Sequence, residues 1–284
     1  MSTALKAAPI TILTCVLIAL SVSGAEADFN DTSASFYDKN FYTKVPWTVT
    51  QKKTFQELLR HNLQTPDTEL HRDKTALLII DTQNDWGTAK GSAPETDIET
   101  VVPNIAKQTS LWRETGSLIV HIVRMYYADG SDADMARRWQ MEKGQFTMAV
   151  PGTWGSELVA STTPGDVTLD YKTLLNLGVQ QIGPNEYVIY KPHYNGFDRS
   201  SLNAFLKAKD IDSVVFIGMT FPNCVRATQY GATDHHYRVG AVPEAITQVY
   251  PGGLVAMQRQ GVQLMSMDDF AKFAGSISDT AGPE

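Results

Sequence analysis

The run TALLIID, residues 75–81, decides how this chain folds. Apolar residues stand in an unbroken row from Ala76 to Ile80, and an acid closes them. A strand with one face in water would alternate polar and apolar positions. An unbroken row belongs to a strand covered on both faces, as in a parallel sheet between layers of helices. Working outward, the same signature returns in SLIVHIVR (117–124), EYVIYK (186–191) and SVVFIG (213–218), and more weakly in YRVGAV (237–242) and VQLMS (262–266). Helical patterns fall between them, at 98–116 with Gly116 as a stop, at 200–210, from Asn223 to about Asp234, and near 252–260. Strands alternating with helices of this length require right-handed crossovers. The expected fold is α/β, a three-layer Rossmann-like arrangement with a six-stranded, mostly parallel sheet and helices on both faces.

Bulk properties agree with one large domain. The chain has 284 residues, 43% hydrophobic and 19% charged, with a formal net charge of −7. No Lys/Arg cluster stands out, so neither nucleic acid nor an anionic membrane surface is an expected partner. The first residues differ from the rest. One early lysine, Lys6, precedes an apolar run from about Ile10 to Val22, and Ala25-Glu26-Ala27 fits a signal-peptidase site. The run falls short of the about 20 apolar residues of a comfortable membrane span; an uncleaved anchor is the alternative. The expected organisation is a signal peptide at 1–27, an aromatic-rich arm at 28–73 with a helix over Thr48–Asn62, and a catalytic-sized domain at 74–284. The mature chain is then secreted or periplasmic, with no membrane contact after cleavage.

Cleavage after Ala27 removes Cys15 and leaves Cys224 as the one cysteine of the 2 in the sequence. An exported chain with a single cysteine has no internal disulfide and carries a free thiol into an oxidising compartment. That thiol is either a reactive group or a small apolar filler, and its position bears on the choice. Ligands of parallel sheets bind beyond the C-terminal ends of the strands. The first strand ends at Asp81, the strand EYVIYK at Lys191, and SVVFIG leads over a short turn to Cys224. An acid, an amine and a thiol thus reach one rim from distant parts of the chain. No G-x-G-x-x-G, G-x-x-x-x-G-K-[ST] or G-x-S-x-G pattern competes for it.

The blocks LLIIDTQNDW (77–86), VIYKPHYNGF (188–197) and VVFIGMTFPNCVRAT (214–228), in that order, resemble the isochorismatase-like cysteine hydrolases. That family includes nicotinamidases, N-carbamoylsarcosine amidohydrolases and ureidoacrylate or biuret amidohydrolases, and the resemblance spans roughly residues 74 to 270. It implies an Asp–Lys–Cys triad at Asp81, Lys191 and Cys224. It also implies a cis peptide between Met219 and Thr220, which aims the Thr220 and Cys224 amides at an oxyanion. The chemistry of the three residue types is coherent on its own. A thiol is an intrinsically strong nucleophile that is mostly protonated at neutral pH, and a helix start lowers its pKa. Asp81 would take the thiol proton and return it to the leaving amine, and Lys191 would orient Asp81 and balance charge.

The chain departs from the family in two ways. Phe221, followed by Pro222, stands where the family carries threonine three residues before its cysteine. The region HIVRMYYADGSDAD (121–134) lacks the D-x-H-P and downstream histidine with which nicotinamidases bind a metal. No metal, no cofactor and no nicotinamide are therefore expected. His235 and His236 are adjacent, so on a helix they point apart and read as surface residues. For substrate contacts the candidates are Trp86, Tyr127, Trp154 and Phe197, with Tyr126 beside them, although a large aromatic is more often core than ligand wall. Arg124 would bind a substrate carboxylate or make a structural ion pair, and 156–185 is either a lid or a surface loop. The expected partner is a small amide or ureide, with self-association into a homo-oligomer. The alternatives are an isochorismatase-type vinyl-ether hydrolase, disfavoured by Cys224, and a secreted effector or binding protein that uses the fold as a scaffold.

Overall fold

The computed structural model describes residues 57–60 and 62–275. The expected leader, its cleavage site and residues 28–56 of the arm, with most of the helix expected there, lie outside the described residues.

A seven-stranded sheet forms the middle layer, in the order β3-β4-β2-β1-β5-β6-β7. The strands are β1 (Thr75–Ile80), β2 (Ile119–Arg124), β3 (Val179–Gly183), β4 (Glu186–Lys191), β5 (Ser213–Gly218), β6 (Arg238–Ile246) and β7 (Gln263–Leu264). All neighbours pair parallel except β3 with β4, which pair antiparallel. The expected count of six is corrected to seven by β3. This edge strand is mostly half-buried, so it lacks the long apolar row that reveals the others. Every residue of β1, β2 and β5 is buried, as two covered faces require.

The helices are α1 (Asn84–Gly87), α2 (Ile98–Glu114), α3 (Met135–Glu142), α4 (Tyr171–Leu175), α5 (Leu202–Ala208), α6 (Arg226–Asp234), α7 (Pro251–Gln258) and α8 (Met267–Gly275). Helix α2 buries Ile98, Val101, Val102, Ile105 and Trp112, a one-face spacing of three and four. It ends before Gly116, whose φ of 71° only glycine adopts freely. The main core joins Leu78, Ile80, Val120, Ile122, Val214 and Phe216 of the central strands to Leu202, Leu206, Leu254 and Met257 of the helices.

The stretch 156–185 is not an open loop. Leu158, Leu169 and Leu174 pack with Val123, Val188 and Tyr190 of β2 and β4, so it forms an apolar layer over that part of the sheet. No helix among the described residues is long and apolar enough to cross a membrane. The chain runs from β1 to β2 and β4 on one side of the sheet, then returns to place β5 on the other side of β1. That reversal is a topological switch point, where the crossovers part and leave a crevice at the strand ends.

Candidate active site

Asp81 follows β1 with φ 46°, a left-handed turn that aspartate tolerates better than most residues. Its N–H donates to Ile122 O at 2.8 Å, so the turn is pinned to β2. The next four residues stitch the rim together. Gln83 accepts from Arg124 N (2.9 Å) and donates to Arg124 O (3.0 Å) and Ser156 O (2.8 Å). Asn84 donates to Trp154 O at 2.8 Å. Asp85 accepts from Ser92 N (2.9 Å) and Ala149 N (2.6 Å). A buried backbone N–H or C=O must find a partner, and this block supplies partners to two loops at once. Gly155 packs so closely that a Cβ there would lie 2.1 Å from Asp85 Oδ2.

Lys191 ends β4 and is fully buried. Its ammonium donates to Cys224 Sγ (3.2 Å) and His193 O (3.1 Å) and lies 2.9 Å from Asp81 Oδ2. All three of its protons are thereby occupied. The other oxygen, Asp81 Oδ1, is buried with no hydrogen-bond partner. Cys224 sits in a single π-helical turn, Phe221–Val225, that joins β5 to α6. The peptide Met219–Thr220 is cis. Phe221, the departure from the family pattern, is wholly buried edge-on against Tyr250 (5.4 Å), and its N–H donates to Thr247 O at 3.0 Å.

The electrostatics of Cys224 correct one expectation. Burial, then the Asp81 carboxylate beside it, pushes the thiol up to about 12 against the opposing pull of Lys191. Desolvation of the charged form outweighs the helix terminus that was expected to lower it.

A narrow cavity of about 30 Å³ opens over these groups. Asp81, Cys224, Thr220 and Asn223 line it together with Met219; Trp86, Tyr126, Tyr194, Arg124, Arg137 and Glu95 complete the lining. Of the four aromatic candidates, Trp86 lies on this cavity. Tyr127 and Trp154 do not; they are 50% and 54% exposed. Phe197 does not either: it belongs to the main core, its ring tilted against that of Tyr237 at 5.6 Å. Trp154 enters the site's construction through its carbonyl, held by Asn84. His235 and His236 are exposed. Arg124 combines both of its readings, since it lines the cavity while bonded to Asp132 at 3.2 Å and stacked 3.7 Å from the Tyr126 ring.

Sequence reasoning missed Glu95, Arg137 and Tyr194. Arg137 donates to Asp134 at 2.8 Å and to the Tyr194 hydroxyl at 2.5 Å. Burial, then Asp97, raises Glu95 from 4.5 to about 7 despite Arg137. Only Tyr194 carried a signal, its place in the block VIYKPHYNGF.

Fold and rim together define a class: α/β proteins whose parallel sheet brings an acid, an amine and a thiol into one cavity at its switch point. An isochorismatase domain model matches residues 176–269. An Arabidopsis thaliana protein carrying the name "probable inactive nicotinamidase" is 25% identical over 203 residues, covering 70% of this chain and 95% of its own. The ureidoacrylate amidohydrolase RutB of Methylorubrum extorquens is 24% identical over 234 residues, covering 75% of this chain and 82% of its own. Among solved structures, an isochorismatase family protein from Desulfovibrio vulgaris superposes with a TM-score of 0.59 at 26% identity, over 72% of this chain and 99% of that one. By the domain match over residues 176–269, these relatives and this superposition, the chain is similar to the isochorismatase-like family.

Proposed function

We propose that this protein is a cysteine-dependent amidohydrolase that cleaves the C–N bond of a small amide or ureide. The observation that carries the reading is the Lys191 ammonium held against both Asp81 Oδ2 and Cys224 Sγ beneath a cavity. The amidohydrolase name of the bacterial relative supports the reaction class.

Asp81 Oδ1 is the free acceptor for the thiol proton. As the proton moves to Asp81, Sγ bonds to the substrate carbonyl carbon and the carbonyl oxygen becomes an oxyanion. The Thr220 and Cys224 amides stabilise that charge; one such donor is typically worth about 2.7–4 kcal/mol. Collapse breaks the C–N bond, the nitrogen takes the proton from Asp81, and ammonia or an amine departs. Asp81 then takes a proton from water as its oxygen attacks the thioester. The C–S bond breaks and the proton returns to sulfur. A resting thiol that is protonated suits this cycle, because the ionising step is coupled to attack.

The test is ammonia release by the mature chain across a panel of small amides and ureides, beside Cys224→Ala. Release that vanishes in a folded Cys224→Ala is the expected result. Release that survives the substitution would remove Cys224 from the chemistry.

A further inference from the structure

We infer that Glu95 makes this cavity selective for neutral acyl donors that present N–H groups, and against substrates carrying a carboxylate beside the reacting carbonyl. The inference rests on the amidohydrolase reading and names the substrate class within it: amides and uncharged ureas.

The two cations that line the cavity, Arg124 and Arg137, and Lys191 buried beneath it already have acids at bonding distance. Lys191 has Asp81 at 2.9 Å, Arg124 has Asp132 at 3.2 Å, and Arg137 has Asp134 at 2.8 Å. Glu95 is a further acid on the same lining. Its carboxyl accepts from the side-chain amide of Gln248 and from the Thr220 hydroxyl, so it abuts the oxyanion loop. Gln248 donates its backbone N–H to Asp97 at 2.9 Å, which holds the two acids as neighbours.

The charged groups facing Glu95 act in opposite senses. Asp97 repels its ionised form, and Arg137, from α3, attracts it. Asp81 and Cys224 share the cavity, as do Arg124, Tyr126 and Tyr194. Burial and Asp97 outweigh Arg137, which is why the carboxyl holds its proton up to about 7. Ionised, Glu95 adds negative charge that a substrate carboxylate would face and that an amide or urea N–H would satisfy by donating. Protonated, it loses the repulsion.

The test uses two alkylating reagents of near-equal size, neutral iodoacetamide and anionic iodoacetate. In each, Sγ as thiolate bonds to the methylene carbon and iodide leaves with the bonding pair. Modification of Cys224 is followed by peptide mass in the full chain from pH 6 to 8.5, beside a small free thiol. The ratio of the two rates cancels the ionisation of Cys224 itself. The expected ratio, relative to the free thiol, rises about tenfold across that range in the wild type and stays flat in Glu95→Gln. A wild-type ratio that does not change with pH, or an equal rise in Glu95→Gln, overturns the inference. If Glu95→Gln does not fold, the wild-type curve alone decides.

The two readings fail separately. A pH-dependent ratio in a chain that releases no ammonia from any amide overturns the amidohydrolase and leaves the charge selectivity standing. Ammonia released preferentially from carboxylate-bearing ureides overturns the selectivity and leaves the amidohydrolase.

Discussion

The Lys191 ammonium lies 2.9 Å from Asp81 Oδ2, and neither side chain is more than 5% exposed. A pair this deep is stable only while both members are present, because removing one strands the other's charge in a poor solvent. Lys191→Met is therefore expected to cost about 3–5 kcal/mol. The double variant Lys191→Met/Asp81→Asn should recover part of that loss in denaturant titrations at pH 7. A double variant no more stable than the single one would locate the cost elsewhere than in the stranded carboxylate.

The thiol of Cys224 is raised to about 12 by burial and by Asp81. In the resting protein it is neutral at pH 7. Its alkylation by iodoacetamide should be slower than that of a free thiol there and should climb about tenfold per pH unit from 7 to 10 without levelling. Circular dichroism at each pH checks that the fold persists. A plateau near pH 8 would mean that Lys191 outweighs burial and Asp81.

Glu95 holds its proton more tightly folded than unfolded, since it is raised from 4.5 to about 7. Its contribution to stability is complete below pH 4.5 and is lost as pH rises through 7. Relative to Glu95→Gln, the wild type should lose up to ~3 kcal/mol over that window. Parallel slopes of unfolding free energy against pH in the two proteins would contradict this.

Gly218 ends β5 opposite Ile80 of β1 with φ 119°, and a Cβ there would lie 2.3 Å from Ile80 O. Both the backbone conformation and the space exclude a side chain. Gly218→Ala is expected to destabilise by about 3 kcal/mol or more, lowering the thermal midpoint by roughly 6–12 °C. A shift under 2 °C would show that the two strand ends can part cheaply, on the scale of 2–4 °C per kcal/mol.

The sequence by itself determined six of the seven strands and, for β2, β4 and β5, the residue at which each ends. EYVIYK and SVVFIG coincide with β4 and β5 to the residue, because an apolar run marks a strand covered on both faces and the change of pattern at each end of the run marks its limits. Since ligands gather at those ends, Asp81, Lys191 and Cys224 are legible as one constellation from the sequence alone. The tertiary structure alone decided the rest. β3 is a half-buried edge strand with no apolar row of its own, and it becomes a strand by pairing with β4. Tyr127, Trp154 and Phe197 are aromatic residues of the same kind as Trp86, Tyr126 and Tyr194, yet only the latter three line the cavity. Which ring turns inward depends on loops clamped by the side chains of Gln83, Asn84 and Asp85, whose hydrogen bonds to Arg124, Ser156, Trp154 and Ala149 reach more than forty residues along the chain. The ionisation of Cys224 and Glu95 likewise escaped the sequence. Neighbouring residues reveal a helix start, whereas desolvation depends on how many distant groups close around a charge.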